Sequence, residues 1–201
     1  MTIRILTVCT GNICRSPMAE QLLRTRLRGV DDLLIESAGT MALVGSPMDE
    51  TAARLATEQG STDADGHIAR ELTRDSIRQA DLIFAMARDH RKSIVEFLPR
   101  AVQKTFTIRE FARIVTSIDR AELGVILDQA GPDAASQFES AMEFIAGERG
   151  MVRPDEPEDD DVIDPYRRDS DTYRLSTDQL VPAVDVAVAF IGRVLRNEPA
   201  H

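Results

Sequence analysis

The stretch that decides the fold is IRILTVCTGNICRSPMAE, residues 3–20. Its apolar first part, residues 3–8, predicts a buried strand, and the polar residues 9–15 predict a tight loop. A helix should follow, because Ser16 suits an N-cap and Pro17 then takes the first helical position, where its missing N–H costs nothing. The loop therefore lies between a strand end and a helix start, where backbone N–H groups and the helix dipole favour an anion.

Two residues of this loop carry chemistry. Cys9 opens the loop in a field that favours its thiolate form, and Arg15 offers a planar charged fork for phosphate oxygens. A thiolate beneath an oxyanion cradle is suited to attack on phosphorus. The alternative is a buried, unreactive cysteine beside an ordinary turn. For Cys9 considered alone, the unreactive alternative is favoured.

Composition limits the classes of partner and location. The 201 residues are enough for one domain with a proper core, and 43% of them are hydrophobic. With 24 Lys and Arg against 34 Asp and Glu, the net charge of −10 argues against nucleic acid as a partner. No apolar run approaches the ~20 residues of a membrane span. MTIRILTV has no cleavage site, so we expect no signal peptide. Two cysteines suit a reducing cytoplasm, and we expect a monomer.

Strands alternate with helices through the first half of the chain, which predicts a parallel α/β sheet covered on both faces. Further strands are predicted at 33–35, 81–87 and 104–108. Helices are predicted after the loop 9–15 and at 49–59, 73–80, 89–102 and about 171–196. Pro182 should kink the last helix or separate its first turn.

The middle of the chain is less regular. Helical spacing is clear in two sets, one from Phe111 to Ile118 and one from Phe138 to Ile145, while 121–133 has no confident assignment. The acidic stretch 152–162 is interpreted as a solvated, mobile loop rather than a binding element. We therefore predict one domain, 1–201, with a helical and acidic insertion at about 109–161.

Phosphoryl transfer also needs a proton for the leaving oxygen. A carboxyl on a separate element should supply it, and Asp164 in the string DPYRRDS is the candidate, although Asp-Pro alone is common turn chemistry.

The string CTGNICRSP between a strand and a helix resembles the signature loop of the low-molecular-weight protein tyrosine phosphatases, and DPYRRDS resembles that family's general-acid loop. The resemblance implies a three-layer α/β sandwich with a four-stranded parallel sheet in the order 2-1-3-4. It also implies a two-step mechanism in which Cys9 forms a cysteinyl-phosphate, Asp164 acts as acid and then as base, and Arg15 holds the phosphoryl charge. No cofactor or metal is expected.

The resemblance assigns further residues. The phosphate cradle would consist of Thr10, Gly11, Asn12, Ile13, Cys14 and Arg15. Ser16 would donate a hydrogen bond to the thiolate, while Ser37 and His67 would brace Asn12. A lone loop histidine is otherwise most often solvent-facing. Cys14 would close a protective disulfide with Cys9, the alternative being a small buried residue under the loop.

The substrate is less well defined. Residues 41–48 contain no aromatic, so Tyr166, with Leu43 helping, would form the substrate wall. A tyrosine-phosphorylated protein is favoured as substrate, with phosphate or another oxyanion bound in the loop. Alternatives are a protein-arginine phosphatase, which tends to have Thr at the position of Ile13; an arsenate reductase, which needs more cysteines; and a phosphoprotein-binding module, which predicts a broken cradle or a missing acid.

Overall fold

The computed structural model describes residues 2–195 and places four parallel strands in one sheet. The strands are β1 (Ile3–Cys9), β2 (Leu33–Gly39), β3 (Leu82–Ala85) and β4 (Thr105–Thr107). Their order across the sheet is β2-β1-β3-β4, which confirms the predicted order. In this register Cys9 lies beside Gly39 and Val8 beside Ala85, so the carboxyl ends of β1, β2 and β3 meet at one edge of the sheet.

Eight α-helices connect and cover the strands within the described residues. They are α1 (Arg15–Arg26), α2 (Glu50–Glu58), α3 (Arg74–Gln79), α4 (Arg88–Phe97), α5 (Ile108–Ser117), α6 (Arg120–Gln129), α7 (Ala134–Glu148) and α8 (Ser170–Leu195). Short 3-10 turns occur at Ala64–Gly66, Pro99–Lys104 and Pro157–Asp160. None of the helices in residues 2–195 is both long and apolar enough to cross a membrane.

Several helix starts follow from capping chemistry. Asp49 accepts hydrogen bonds from the N–H groups of Thr51 and Ala52, and Thr73 forms a capping box with Ser76. Both helices were predicted from the sequence. The helix predicted to end at 102 ends instead at Phe97, because Pro99 restricts the residue before it and starts a 3-10 turn.

The sheet has a core on each face, as expected for a parallel sheet. Leu6, Val8 and Ile83 point to one face, where they pack with Ile77 and Ile94 of the flanking helices. Alternate residues of the same strands, with β4, point to the larger core under α1, α2, α5, α7 and α8. The carboxyl edge of the sheet is thereby fixed from both sides.

Helix α5 is anchored by an aromatic cluster. The ring of Phe111 lies edge-on to Phe84, Phe106 and Phe190, with centroid separations of 5.0, 5.5 and 5.5 Å. These partners belong to β3, β4 and α8, so α5 is packed against the sheet and the last helix. The predicted division into one domain with an insertion at about 109–161 stays a proposal.

Two expectations about the second half need correction. Of residues 121–133, left unassigned, residues 121–129 belong to α6. The acidic stretch is exposed up to Asp159, but its end is not a free loop: Asp160 is buried, and the carboxylates of Asp160 and Asp161 are paired with arginines. Charge composition predicts solvation correctly only where no partner of opposite charge is available.

The last helix is continuous through Pro182. Of the two predicted effects of Pro182, the separate first turn is therefore wrong, and the kink stays a prediction. The turns before Pro182 continue the helix because Tyr173 and Leu180 pack them against the core. The predicted end at Arg196 lies outside the described residues.

Candidate active site

The Cys9 loop, residues 9–15, has its carbonyl groups turned outward. The carbonyls of Cys9, Thr10 and Gly11 accept hydrogen bonds of 2.9, 3.0 and 3.0 Å from residues 40, 41 and 43, and that of Ile13 accepts one of 2.8 Å from residue 49. In a trans peptide the next N–H points opposite to the carbonyl, and the described chain has no cis bond. The N–H groups of residues 10, 11, 12 and 14 therefore point away from segment 40–49, toward the loop interior.

Segment 40–49 can approach the loop so closely because Gly39 has no side chain. A Cβ there would lie 2.4 Å from the Thr10 carbonyl oxygen and 2.9 Å from the Cα of Ala42. Both neighbours are backbone atoms, so they could move away only if the backbone itself shifted. Any larger residue would therefore displace the loop or the segment that braces it.

A directed chain of hydrogen bonds ends on the sulfur of Cys9. The N–H of Arg70 donates to Asn12 Oδ1 over 2.9 Å, which fixes the amide so that Nδ2 donates to Ser16 Oγ at 3.0 Å and to Ser37 Oγ at 2.8 Å. The hydroxyl of Ser37 in turn donates a hydrogen bond to Glu20 Oε2 over 2.5 Å.

The hydroxyl of Ser16 accepts from Asn12, so its proton is free to point at Cys9 Sγ, 3.0 Å away. The N–H of Asn12 also donates to the sulfur over 3.3 Å. Cys9 is thus an acceptor from two donors, and the thiolate is the form of cysteine that this arrangement stabilises.

The predicted helix start is wrong by two residues. Helix α1 begins at Arg15, with Cys14 at the cap position and no side-chain cap. Ser16 is committed to Cys9 and Asn12 and cannot cap, and Pro17 lies at the third helical position, still within the first turn where its missing N–H is harmless.

His67 contacts the loop rather than facing solvent. Its Nε2 donates to the carbonyl oxygen of Asn12 over 2.7 Å, and the ring is half-buried. Ser37 and His67 therefore both contact Asn12, as the resemblance implies. Asn12 itself has φ 56°, a left-handed backbone that asparagine tolerates better than most residues.

Arg15 connects the Cys9 loop to Asp164, 149 positions away. Its Nη2 lies 2.7 Å from Asp164 Oδ2, and its Nη1 donates to the Val162 carbonyl over 3.0 Å. The guanidinium is buried, whereas 52% of the Asp164 side chain is exposed. The carboxylate therefore lies at the mouth of the loop, held on one side by charge and open to solvent on the other.

The backbone leading to Asp164 is fixed from three directions. The Val162 N–H donates to the Met86 carbonyl over 2.9 Å, at the end of β3. The Ile163 N–H donates to Gln179 Oε1 of α8 over 2.8 Å. After the acid, the Tyr166 N–H donates back to Asp164 Oδ1 over 3.1 Å, a local turn typical of aspartate.

The residues predicted as a substrate wall lie on two loops, one bonded to the Cys9 loop and one following Asp164. Leu43 is partly exposed, and its N–H is bonded to the Gly11 carbonyl. Tyr166 is partly exposed, and the guanidinium of Arg167 lies 5.1 Å from its ring centre. Met41 and Val44 are also exposed next to Leu43, so the rim is apolar on that side.

Cys14 differs from Cys9 in its surroundings. Both are free thiols and both are buried. Burial raises the pKa of the Cys14 thiol far above its ordinary value, and the nearby charges of Asp49, Cys9 and Asp164 raise it further. Cys14 is therefore a neutral thiol, and its pairing with Cys9 in a disulfide stays a prediction.

Sequence reasoning missed four residues that hold the site: Glu20, Arg70, His90 and Gln179. His90 is buried in α4 and its Nε2 lies 2.9 Å from Thr10 Oγ1. Burial, together with the charge of Arg15, lowers the pKa of His90 to about 4, against smaller opposing effects of Asp164 and other carboxylates. Glu20 could have been found, because it lies one helical turn after Ser16 on the same face.

Across residues 2–195, no cluster of three or more His, Cys, Asp or Glu side chains is placed to hold a metal ion. The positive groups that face the loop interior are backbone N–H groups and the guanidinium of Arg15.

Comparison with known proteins gives consistent matches. A family model described as low molecular weight phosphotyrosine protein phosphatase matches residues 4–126. The low molecular weight protein-tyrosine-phosphatase Etp of Escherichia coli strain K12 is 46% identical over 101 residues, which cover 50% of this chain and 66% of that protein. The chain thus spans slightly less than two thirds of that relative's length.

Solved structures are similar over more of the chain. The tyrosine phosphatase AmsI of Erwinia amylovora matches with a TM-score of 0.65 and 27% identity, over 94% of this chain and 93% of that one. The YwlE arginine phosphatase of Geobacillus stearothermophilus matches with a TM-score of 0.68 and 28% identity, over 99% of each chain.

Proposed function

The chain belongs to the low molecular weight phosphotyrosine protein phosphatase family, and we propose that it hydrolyses phosphotyrosine monoesters in proteins through a cysteinyl-phosphate. One observation carries the proposal. Cys9, with its thiolate-stabilising contacts, and Arg15 lie at the two ends of one loop, and the carboxylate of Asp164, 149 positions after Arg15, lies 2.7 Å from the guanidinium. Nucleophile, charge and proton donor are thereby within reach of one phosphoryl group.

In the first step, the phosphoryl group of the substrate enters the Cys9 loop as a dianion. The inward N–H groups and Arg15 bind its equatorial oxygens, and phosphate takes the place of the Asp164 carboxylate on Arg15. The sulfur of Cys9 forms a bond to phosphorus while the bond to the phenolic oxygen breaks. Asp164, protonated, gives its proton to that oxygen, and the free phenol leaves.

In the second step, Asp164 acts as a carboxylate. It takes a proton from a water molecule, whose oxygen attacks phosphorus as the sulfur–phosphorus bond breaks. Cys9 leaves as a thiolate, stabilised by Ser16 and by the N–H of Asn12. Inorganic phosphate is released and Asp164 is again protonated, so the cycle closes without a metal or cofactor.

The surroundings of the loop support an aryl ester as substrate. The nucleophile lies at the bottom of the loop, so a long, flat side chain reaches it while its ring contacts the rim. Leu43 and Tyr166 supply that rim on two sides. Because the reaction requires Cys9 as a free thiolate, we further propose a reducing, cytoplasmic setting.

Phosphoarginine in proteins is the second candidate substrate. The similarity to the YwlE arginine phosphatase, at 28% identity, favours it as much as the similarity to AmsI favours phosphotyrosine. Ile13 in place of threonine points to the aryl ester. Peptides carrying phosphotyrosine, phosphoarginine or phosphoserine at one position, compared by kcat/KM, distinguish the two candidates from general phosphatase activity.

The experiment that tests the proposal is hydrolysis of phenyl phosphate by wild type, Cys9→Ser and Asp164→Asn. We expect Cys9→Ser to lose at least about 10³-fold in kcat, because the serine hydroxyl is a far weaker nucleophile. Rapid quenching of the wild type should trap phosphate on Cys9. An active Cys9→Ser variant, or a wild type that releases no phosphate, would contradict the proposed function.

A further inference from the structure

Asp164 is poorly held by its own side chain. Half of the carboxylate is exposed, and its side-chain contacts are Arg15 and the local turn to Tyr166. In the proposed mechanism Arg15 turns to the phosphoryl group. The position of the acid then depends on the backbone of the acid segment, residues 160–166.

The acid segment is held at its first residue by an arginine of α5. Arg113 Nη2 lies 2.7 and 2.9 Å from the two carboxylate oxygens of Asp160, and Nη1 donates to the Val152 carbonyl. Asp160 is buried, so this pair is shielded from water and from salt. One nitrogen of the planar guanidinium thus binds the carboxylate and the other binds a backbone carbonyl, which fixes its orientation as well as its distance from Asp160.

The neighbouring contacts act on the same segment but are more exposed. Arg109 Nη1 donates to the Asp161 carbonyl over 2.7 Å. The backbone N–H of Arg88 donates to Asp161 Oδ1 over 2.7 Å, and its side chain, 40% exposed, also contacts that carboxylate. Among the arginines of α4 and α5 that contact this segment, Arg113 is therefore the one paired with a buried carboxylate.

Helix α5 gives Arg113 a rigid base. Phe111, two positions earlier, is packed against three other phenylalanines of β3, β4 and α8. The same strand β3 that receives Phe111 leads to Met86, whose carbonyl accepts from Val162. Helix α5 thus contacts the acid segment at Asp160, strand β3 leads to the contact at Val162, and α5 and β3 are packed against each other.

We propose that Arg113 is a positioning residue for proton transfer: through its pair with Asp160 it fixes the acid segment so that Asp164 can reach the leaving oxygen. This inference rests on the proposed phosphatase activity. It assigns a role to the region of about 109–161, which is to set the position of a general acid that lies outside it.

The test compares two aryl phosphates with different leaving groups. Phenolate is a poor leaving group, so its departure depends strongly on the proton from Asp164. p-Nitrophenolate is the anion of a stronger acid, so its departure depends on that proton less. In Arg113→Met we expect kcat/KM to fall about tenfold for phenyl phosphate and less than about threefold for p-nitrophenyl phosphate. Arg113→Lys, which keeps the charge but not the fork, should lie between wild type and Arg113→Met.

A matched control comes from a second buried pair on α5. Arg149 lies 3.0 Å from Glu110, donates to the carbonyls of Val102 and Thr105 and does not contact the acid segment. Arg149→Met should lower the melting temperature at least as much as Arg113→Met. Its ratio of kcat/KM for the two substrates should stay at the wild-type value.

The outcomes separate two failures. A wild type that hydrolyses neither ester contradicts the proposed function itself. An active wild type whose ratio is unchanged in Arg113→Met contradicts the positioning role, as does an equal change in Arg149→Met. If Arg113→Met does not fold, Asp160→Asn decides, because it removes the charge and keeps the shape; an unchanged ratio there overturns the inference.

Discussion

The Cys9 loop and the acid segment supply two halves of one site, but they are held in different ways. The loop is contiguous in sequence and mostly buried. Its carbonyl groups accept hydrogen bonds from segment 40–49, and the side chains of Cys9 and Asn12 both bond to Ser16. The acid segment lies about 150 positions later, is largely exposed from Ile163 to Tyr166 except at Pro165, and depends on side chains from α4, α5 and α8. Nucleophile position is therefore a local property of the fold, and acid position is a long-range one.

This difference separates stability from chemistry. The loop shares its hydrogen bonds with the core, so a change there should affect folding and catalysis together. The exposed acid can be changed with little effect on folding, because an exposed ion pair contributes little to stability. The predictions below test that separation, starting with the largest expected effect.

Asp164→Asn removes the proton donor and keeps the shape of the side chain. We expect kcat/KM for phenyl phosphate to fall about 10³-fold, the middle of the range for general acid catalysis. The free energy of unfolding should change by less than about 1 kcal/mol, because the pair with Arg15 is half exposed. Steady-state kinetics and urea unfolding measure the two quantities.

The control is Asp155→Asn, an exposed aspartate of the same acidic stretch. It should leave both quantities at the wild-type level. If Asp164→Asn retained activity within tenfold of wild type, the general acid would be a different group. The acid segment would then not supply the second half of the site.

Asn12→Ala should affect folding as well as catalysis. The change removes the bonds to Ser16 and Ser37 and leaves the N–H of Arg70 without its acceptor. Alanine is also strained in the left-handed backbone conformation of this position, φ 56°, which destabilises the folded state further. We expect a loss of about 3 kcal/mol in the free energy of unfolding, measured in urea, and a fall in kcat.

Asn12→Gly divides that loss into two parts. Glycine accepts the left-handed backbone without strain, so it should recover about 1 kcal/mol relative to alanine. The remaining loss belongs to the side-chain bonds. A glycine variant as stable as wild type would show that the directed chain of hydrogen bonds does not hold the loop.

His90 predicts a pH dependence of stability that comes from the loop side of the site. Its pKa in the folded chain, about 4, lies below the ordinary value of 6.5. The unfolded chain binds the proton more readily, so stability is lost as pH falls through this interval. The expected contribution is about 2 kcal/mol between about pH 7 and about pH 5.

The comparison with His90→Leu isolates this effect from that of the carboxylates. Unfolding curves of both proteins across this pH range should diverge, with the variant losing about 2 kcal/mol less on acidification. Parallel curves would mean that the pKa of His90 is the same in the folded and the unfolded chain. In that case burial and the charge of Arg15 would not lower the pKa of this side chain.

The loop could be predicted from sequence because its parts are adjacent along the chain. A strand, a polar turn and a helix start lie within residues 3–20, and the chemistry of Cys9 and Arg15 follows from that order. The exact helix start could not be predicted. Ser16 is a good cap by composition, but its hydroxyl is taken by Cys9 and Asn12, and that competition is visible only in three dimensions.

The holding contacts of the acid segment could not be predicted. Arg113 and Asp160 are separated by 47 positions, and neither residue belongs to a motif. Helix α6 was missed for a related reason. Gly124 interrupts it, its apolar residues do not form one stripe, and among its residues Leu123 is the buried one. Weak periodicity and long-range pairing leave no local signal.

Glu158→Gln should have the smallest effect, although it removes a charge next to the acid segment. Glu158 lies 2.9 Å from Arg88, but 73% of its side chain is exposed. We expect less than about 0.5 kcal/mol in unfolding free energy and less than about a twofold change in kcat/KM. Asp160→Asn, two positions later and buried, should exceed it in both. If the two variants behaved alike at low and at high salt, burial would not determine which contact holds the acid, and the arginines of α4 and α5 would act as one diffuse positive field.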